Sequence, residues 1–365
     1  MSATRSPLLL TAGPVPLSSA VRQALRQPMV YHRGRPFIEL FQRVTAGLKY
    51  LFQTKYDVLL LTTSGTGAME AVVTNLFSPG DAVIVVENGK FSERWSQIGE
   101  IFKLRVIRLK IPWGRSVSPD ELLAAVRTTS SLKAVFLTHC ETSTGALTAV
   151  EQLAPLIRQH TEALVIVDAI TSAGVLPLKM DQWQIDVAVT ASQKGLGLPP
   201  GLAMVALNHR AWRQVEQADL PRYYLDLTLA RQSLRLERGT PFTPAIPLIV
   251  AADVVLQQIQ EKGLEAIWQE RKEVASDFRA KINRLGFAIF PECPADSLTV
   301  IAIPPPLLAE EIASQLRENF GIIVSQGQGQ LINKVLRIGH FVNIHQNELN
   351  RFTTAFYEII QQLRR

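Results

Sequence analysis

Seven short apolar runs punctuate the first two-thirds of this chain: "DVLLLT" from residue 57, "AVIVVE" from 82, "LRVIRL" from 104, "KAVFLT" from 133, "LVIVD" from 164, "DVAVT" from 186 and "LAMVAL" from 202. Their apolarity is continuous rather than alternating, which predicts strands buried on both faces. Amphipathic segments at 67–77, 91–102, 119–127 and 149–160 separate several of them. One opens with "SPDE", where Ser118 caps, Pro119 takes the first helical position and Glu121 closes a capping box. The alternation predicts an α/β domain with a mainly parallel sheet.

Beyond about residue 250 the pattern changes to a long helical stretch, "VVLQQIQEKGLEAIWQERKEVASDFRAKINRLG", then short strands and a last helix at 346–363. The expected division is an N-terminal arm over 1–17, a large domain over 18–250 and a small α+β domain over 251–365. The 38 Lys and Arg against 32 Asp and Glu are scattered, which favours small anionic ligands over a nucleic-acid track. Cys140 and Cys293 fit neither a disulfide framework nor a zinc spacing, so a reducing, cytoplasmic setting is expected. No signal peptide or membrane span is expected.

Four places carry chemistry-bearing residues. In "TTSGTGAMEA", Ser64, Gly65, Thr66 and Gly67 stand between a strand and a helix, the arrangement that aims backbone N–H groups at a phosphate. Its rivals are a plain glycine turn with hydroxyl caps and a dinucleotide fingerprint helped by Glu87, although Glu70 stands where a third glycine belongs. Asp168 ends the run "LVIVD", where α/β sheets place their ligands, the rival reading being a helix cap; Asp186 reads as such a cap. Lys194 lies in "ASQKGLGLPPG", and a solvated loop lysine is the ordinary reading. Arg337, inside "KVLRIGH", is either an internal ion-pair partner or a fork for a carboxylate.

A phosphate cradle, a buried acid, a lysine and a carboxylate fork are the protein's part in pyridoxal 5′-phosphate chemistry. The chain resembles the class V, fold type I aminotransferases, in particular the alanine–glyoxylate and serine–glyoxylate (serine–pyruvate) group. The motifs that carry the likeness are "TAGPVP", "YHRGRPF", "SGTGAMEA", "THCETSTGAL", "VDAITSAG", "ASQKGLGLPPG", "TPFTPAIP" and "KVLRIGH". The resemblance implies a large domain with a mainly parallel seven-stranded sheet between helices and a smaller C-terminal domain. It makes Lys194 the residue that carries the cofactor as a Schiff base and sets Asp168 against the pyridine nitrogen. Ser64, Gly65, Thr66 and Gln193 then contact the phosphate, Phe91 stacks on the ring where many relatives have tryptophan, and Thr142 bonds near the ring.

By the same resemblance Arg337 takes the substrate carboxylate, and Gly13, with His32, Tyr223 or Tyr224, borders the substrate pocket. Thr240 and Thr243 in "TPFTP" reach the neighbouring subunit's phosphate, which implies a homodimer with shared sites; Gly239 stands near where some relatives have a tyrosine. The activity implied is ping-pong transfer of an amino group from serine or alanine to glyoxylate, or pyruvate. The alternatives are a 2-aminoethylphosphonate–pyruvate transaminase, a cysteine desulfurase, and a non-catalytic accessory protein of the same fold, of the kind labelled a soluble hydrogenase subunit.

Overall fold

A computed structural model describes residues 7–364. Its first strands are β1 (Leu8–Leu10), β2 (Val58–Leu61), β3 (Ala82–Glu87), β4 (Arg105–Lys110), β5 (Leu132–Thr138), β6 (Cys140–Glu141) and β7 (Ala146–Leu147). They continue with β8 (Leu164–Asp168), β9 (Val187–Ala191), β10 (Ala203–Leu207), β11 (Leu298–Ala302), β12 (Ile322–Gln326) and β13 (Val335–Gly339). The helices begin with α1 (Ser19–Ala24), α2 (Arg35–Phe52), α3 (Gly65–Leu76), α4 (Lys90–Ile101), α5 (Pro119–Thr128) and α6 (Val150–His160). They end with α7 (His209–Val215), α8 (Leu227–Gln232), α9 (Ile246–Lys262), α10 (Leu264–Arg284), α11 (Ala309–Phe320) and α12 (Gln346–Leu363).

All seven apolar runs become strands of one sheet, ordered β2-β10-β9-β8-β5-β3-β4. It is parallel except for β10, which runs antiparallel to both β2 and β9. Side chains leave the strands on alternate faces and build two cores. Ile84, Val86, Val135, Val165, Val167 and Ala188 pack with α2, α6 and α9 on one face. Val83, Val85, Phe136, Ile166, Val187 and Val189 pack with α3, α4 and α7 on the other. Each fully buried valine or leucine contributes about 1.5–3 kcal/mol, so both faces hold the sheet between its helices. The exception is β4. It is an edge strand, opposite the buried edge β2, and none of Arg105–Lys110 is buried, so the both-faces expectation fails for that run.

A second sheet, β1-β12-β13-β11, packs under α10, α11 and α12 through Leu10, Phe278, Ile301, Leu316, Ile338 and Phe352. The long helical pattern of the tail is two helices, broken at Gly263, whose φ of +81° takes the chain out of the helix. α9 joins the large sheet's core through Val255 and Ile259, while α10 brings Phe278 and Ile282 to the second core. Residue 250, where the sequence suggested a division, falls inside α9. Of the arm, residues 1–6 lie outside the described residues; Leu8–Leu10 pair in parallel with Ile322–Val324 of β12. Asp186 caps no helix: it is buried and accepts from the Val165 N–H at 2.8 Å and from the Arg210 guanidinium at 2.9 Å. Among the described residues no helix is long and apolar enough to cross a membrane.

Candidate active site

At the end of β2 the chain turns through Ser64, whose hydroxyl caps α3 by accepting from the Gly67 N–H at 3.3 Å. A side chain at position 65 has no room: a Cβ there would stand 2.6 Å from Ile170 Cδ1 and 3.2 Å from Ala191 Cβ. The first turn of α3 therefore sits directly against the loop after β8. Ser64, Gly65, Thr66, Phe91, Thr142, Asp168, Gln193 and Lys194 line one cavity, together with Met69, Arg94, Cys140, Ile170 and Thr171.

Asp168 closes β8 and is buried, its carboxylate accepting from the Ile170 N–H at 2.9 Å. Burial pushes its carboxyl up to about 6, against the opposing pull of that N–H and of Lys194. Lys194 follows β9 in a loop pinned by Ser192, which donates to the Pro199 carbonyl at 2.6 Å and accepts from the Leu202 N–H at 3.2 Å. The lysine is only 7 % exposed. Its Nζ donates to the hydroxyls of Thr142 and Thr171, both at 2.9 Å, and lies 5.1 Å from the centre of the Phe91 ring. Burial lowers the amine to about 8, with Asp168 opposing. The solvated-loop reading of Lys194 is thereby set aside.

Phe91 is fixed from behind by Glu141. This fully buried carboxylate accepts from the backbone N–H groups of Phe91 at 3.0 Å and Ser92 at 2.8 Å and from the Ser143 hydroxyl at 2.6 Å. A carboxylate at the N-terminus of α4 also meets the positive end of that helix. Arg94, one turn along, places its guanidinium carbon 5.0 Å from the Phe91 ring centre and donates to Thr66 Oγ1 at 2.9 Å. Thr171, Glu141 and Arg94 were not singled out from the sequence. Only Arg94 carried a signal, its i, i+3 spacing from Phe91.

Arg337 is buried on β13, donating from Nε to the Gln326 carbonyl at 2.9 Å and from one terminal nitrogen to the Thr142 carbonyl at 3.1 Å. Burial lowers its guanidinium to about 10. Gly13 touches the lysine: a Cβ there would meet Lys194 Cγ and Cε at 3.1 Å, and its φ of +111° suits glycine. Thr240 and Thr243 are not brought to Lys194 within the chain. They line a separate crevice with Thr62, Tyr224 and Phe242, and Thr240 Oγ1 donates to the Phe242 carbonyl at 2.7 Å. Tyr223 and Tyr224 pack on Phe242 in the same region, and His32 lies edge-on to Tyr31. Glu87 is buried against Arg108 at 3.1 Å, so its carboxylate is already occupied as an ion pair. Cys140 is buried and its thiol is pushed up to about 12, the opposite of an activated sulfur.

The family model described as "Aminotransferase class-V" matches residues 17–352. A soluble hydrogenase small subunit of Synechococcus sp. is 36% identical over 360 residues, covering 98% of this chain and 93% of that protein. The L-aspartate–glyoxylate aminotransferase of Paracoccus denitrificans is 35% identical over 337 residues, covering 90% and 84%. The crystal structure of an alanine–glyoxylate aminotransferase from Nostoc sp. superposes with a TM-score of 0.93 at 29% identity, covering 98% of this chain and 96% of that one. The fold is the α/β fold type I of these transferases. By the match of its family model along nearly its whole length, the chain belongs to the class V aminotransferase family and is an enzyme of that family.

Proposed function

We propose that this enzyme uses pyridoxal 5′-phosphate to move an amino group from a small amino acid, serine or alanine, to glyoxylate or, second, pyruvate. The observation that carries the proposal is the buried Lys194 amine, held in the same cavity as the Asp168 carboxylate and the N-terminus of α3. The donor set fits the cofactor from end to end. Ser64, Gly65, Thr66 and Gln193, with the Arg94 guanidinium beside Thr66, would hold the phosphate; Asp168 the ring nitrogen; Phe91 one ring face; Lys194 the aldehyde carbon.

When bound, the cofactor supplies an electron sink that acidifies the substrate's Cα–H bond. The chain's own groups do the rest. Arg337 grips the substrate carboxylate through its two-pronged face, which orients Cα. Lys194 Nζ, whose hold on its proton is weakened by burial, takes the proton from Cα in its neutral form and can return it. An ionised Asp168 stabilises positive charge opposite it. A non-catalytic relative would be free to lose Lys194, Asp168 or Arg337, and all three are present and buried. Thr240 and Thr243 complete the phosphate site of the other copy in a homodimer, in keeping with their separation from Lys194 within one chain.

The test is spectroscopic. The purified enzyme shows the absorbance band of lysine-bound pyridoxal phosphate, bleached by its amino donor and restored by its oxo-acid acceptor. A single-turnover matrix of serine, alanine and L-aspartate against glyoxylate and pyruvate ranks the substrates, with aspartate included because the Paracoccus relative is named for it. A protein that shows no band and bleaches with no amino acid refutes the proposal.

A further inference from the structure

We infer that Thr171 is a positioning residue for Lys194: its hydroxyl and that of Thr142 form a two-oxygen rest that fixes where the lysine amine stands when it is not covalently engaged. The kinetic part of this inference rests on the transamination reading; the geometric part does not.

The rest is a closed triangle. Lys194 Nζ donates to each hydroxyl at 2.9 Å, and the two hydroxyls are hydrogen-bonded to each other. Thr142 and Thr171 are 2 % and 3 % exposed, so neither oxygen is shared with bulk water. A neutral amine has two N–H bonds and one lone pair. With both N–H bonds directed at the threonine oxygens, the lone pair is the part left free, and its direction is set by the triangle. That is the geometry a base needs in order to take a proton from a fixed carbon, since a misplacement of about 1 Å can cost on the order of 10²-fold in rate.

Thr171 is placed by the same turn that places Asp168. The carboxylate of residue 168 accepts from the Ile170 N–H at 2.9 Å, and the Ala173 N–H closes the turn on the Ala169 carbonyl at 2.9 Å. One five-residue turn, Ala169–Ala173, thus follows the acid at one end of the cavity and aims a hydroxyl at the lysine. Thr142 comes from the far side, after β6, so the amine is clamped between two independent segments. Removing the Thr171 oxygen leaves the amine with one acceptor and freedom to swing about it.

Full-length wild type, Thr171→Val and Thr171→Ser test this with two readouts. Valine keeps the volume and removes the oxygen; serine keeps the oxygen. First, in cofactor-stripped protein, the pH dependence of Lys194 acylation by acetic anhydride is followed by peptide mass spectrometry. A hydroxyl oxygen favours the ammonium form, so Thr171→Val shifts the midpoint to lower pH and Thr171→Ser restores it. Lys194 is faced by Asp168, Cys140, Glu141 and Arg337, which are common to all three proteins, so the difference reports the hydroxyl. Second, in cofactor-loaded protein, single-turnover reaction with α-deuterated serine or alanine measures Cα–H cleavage. Thr171→Val slows it roughly tenfold and raises the isotope effect while amino-acid affinity is unchanged, and Thr171→Ser recovers both.

Wild-type midpoint and wild-type cleavage in Thr171→Val overturn the inference. A shifted midpoint in a protein that turns over no amino acid, even as wild type, leaves the rest standing and removes the transamination reading instead. Should the valine variant fail to fold, Thr171→Ala carries the same two measurements.

Discussion

Arg337 donates to the backbone carbonyl of Thr142 at 3.1 Å, while the hydroxyl of that same threonine accepts from Lys194. The proposed carboxylate fork and the proposed base therefore meet on one residue, which keeps substrate binding and proton transfer in register. Replacing Arg337 by alanine is expected to raise KM for both amino acid and oxo acid by about 10²-fold, the order of an unpaired buried carboxylate. Lysine at 337 keeps the charge but loses the fork, and should remain impaired by about tenfold. Steady-state kinetics on both half-reactions check this, and unchanged KM values for both substrates would remove Arg337 from the site.

Asp168 offers a pH signature. Burial raises its carboxyl from 3.8 to about 6, so between those values the folded protein holds a proton the unfolded chain has released, and stability declines as pH rises through that window. Ionised Asp168 attracts a protonated ring nitrogen. Affinity for pyridoxal phosphate should accordingly increase as pH climbs through about 6, beyond any contribution from the phosphate's own ionisation. Asp168→Asn should lack the Asp168 part of that step, bind the cofactor roughly tenfold more weakly and lose most turnover. Fluorescence titrations of both proteins across pH 5–8 decide; parallel profiles would contradict the role.

Lys194→Ala is expected to abolish transamination with the fold intact. Lys194→Met separates chemistry from stability. The amine falls from 10.5 to about 8 on burial, so across that interval the unfolded chain keeps a proton the folded one gives up, and wild-type stability rises with pH there. In cofactor-stripped protein at pH 7 the methionine variant should be more stable by on the order of 1–3 kcal/mol, with the gap closing towards pH 10.5. Denaturant titration at several pH values measures it; a gap that ignores pH would mean the amine is not desolvated.

Thr240 and Thr243 can be tested by complementation. If they serve the neighbouring subunit's phosphate, Lys194→Ala chains and Thr240→Ala/Thr243→Ala chains are each inactive alone. Mixed dimers recover one fully wild-type site in two. Activity regained on refolding the mixture shows the sharing; none regained, with each variant inactive alone, shows that the threonines serve their own chain, and a Thr240→Ala/Thr243→Ala protein active by itself places them outside the catalytic unit.

Much of the fold is written in the chain's hydropathy. Strands such as β3, β8 and β9 are covered on both faces, and that enforces unbroken apolar runs with clear ends. What was hidden depends on neighbours rather than on local pattern. The edge position of β4 and the reversed direction of β10 are properties of sheet order. β1 is too short to carry a period, and only its pairing with β12 makes it a strand. At the site, Lys194, Asp168 and the Ser64 turn stand out because each is a polar interruption at the end of an apolar run. Thr171 and Glu141 do not, since a small polar residue in a turn and a glutamate in a two-residue strand are ordinary until distant segments close around them. Asp186 misled for the same reason: Arg210, which balances it, lies 24 residues on.

The short parallel pairing of Leu8–Leu10 with Ile322–Val324 ties the start of the chain to the second sheet, and three residues later Gly13 presses on the Lys194 side chain. Ala12 is bolted to the same sheet by its N–H to the Ser325 hydroxyl at 3.0 Å. This segment behaves as a strut, stiff at one end and resting on the methylenes of the Lys194 side chain at the other. Any tilt of the second sheet is transmitted along it, so the roof over the lysine cannot lift unless that sheet swings with it.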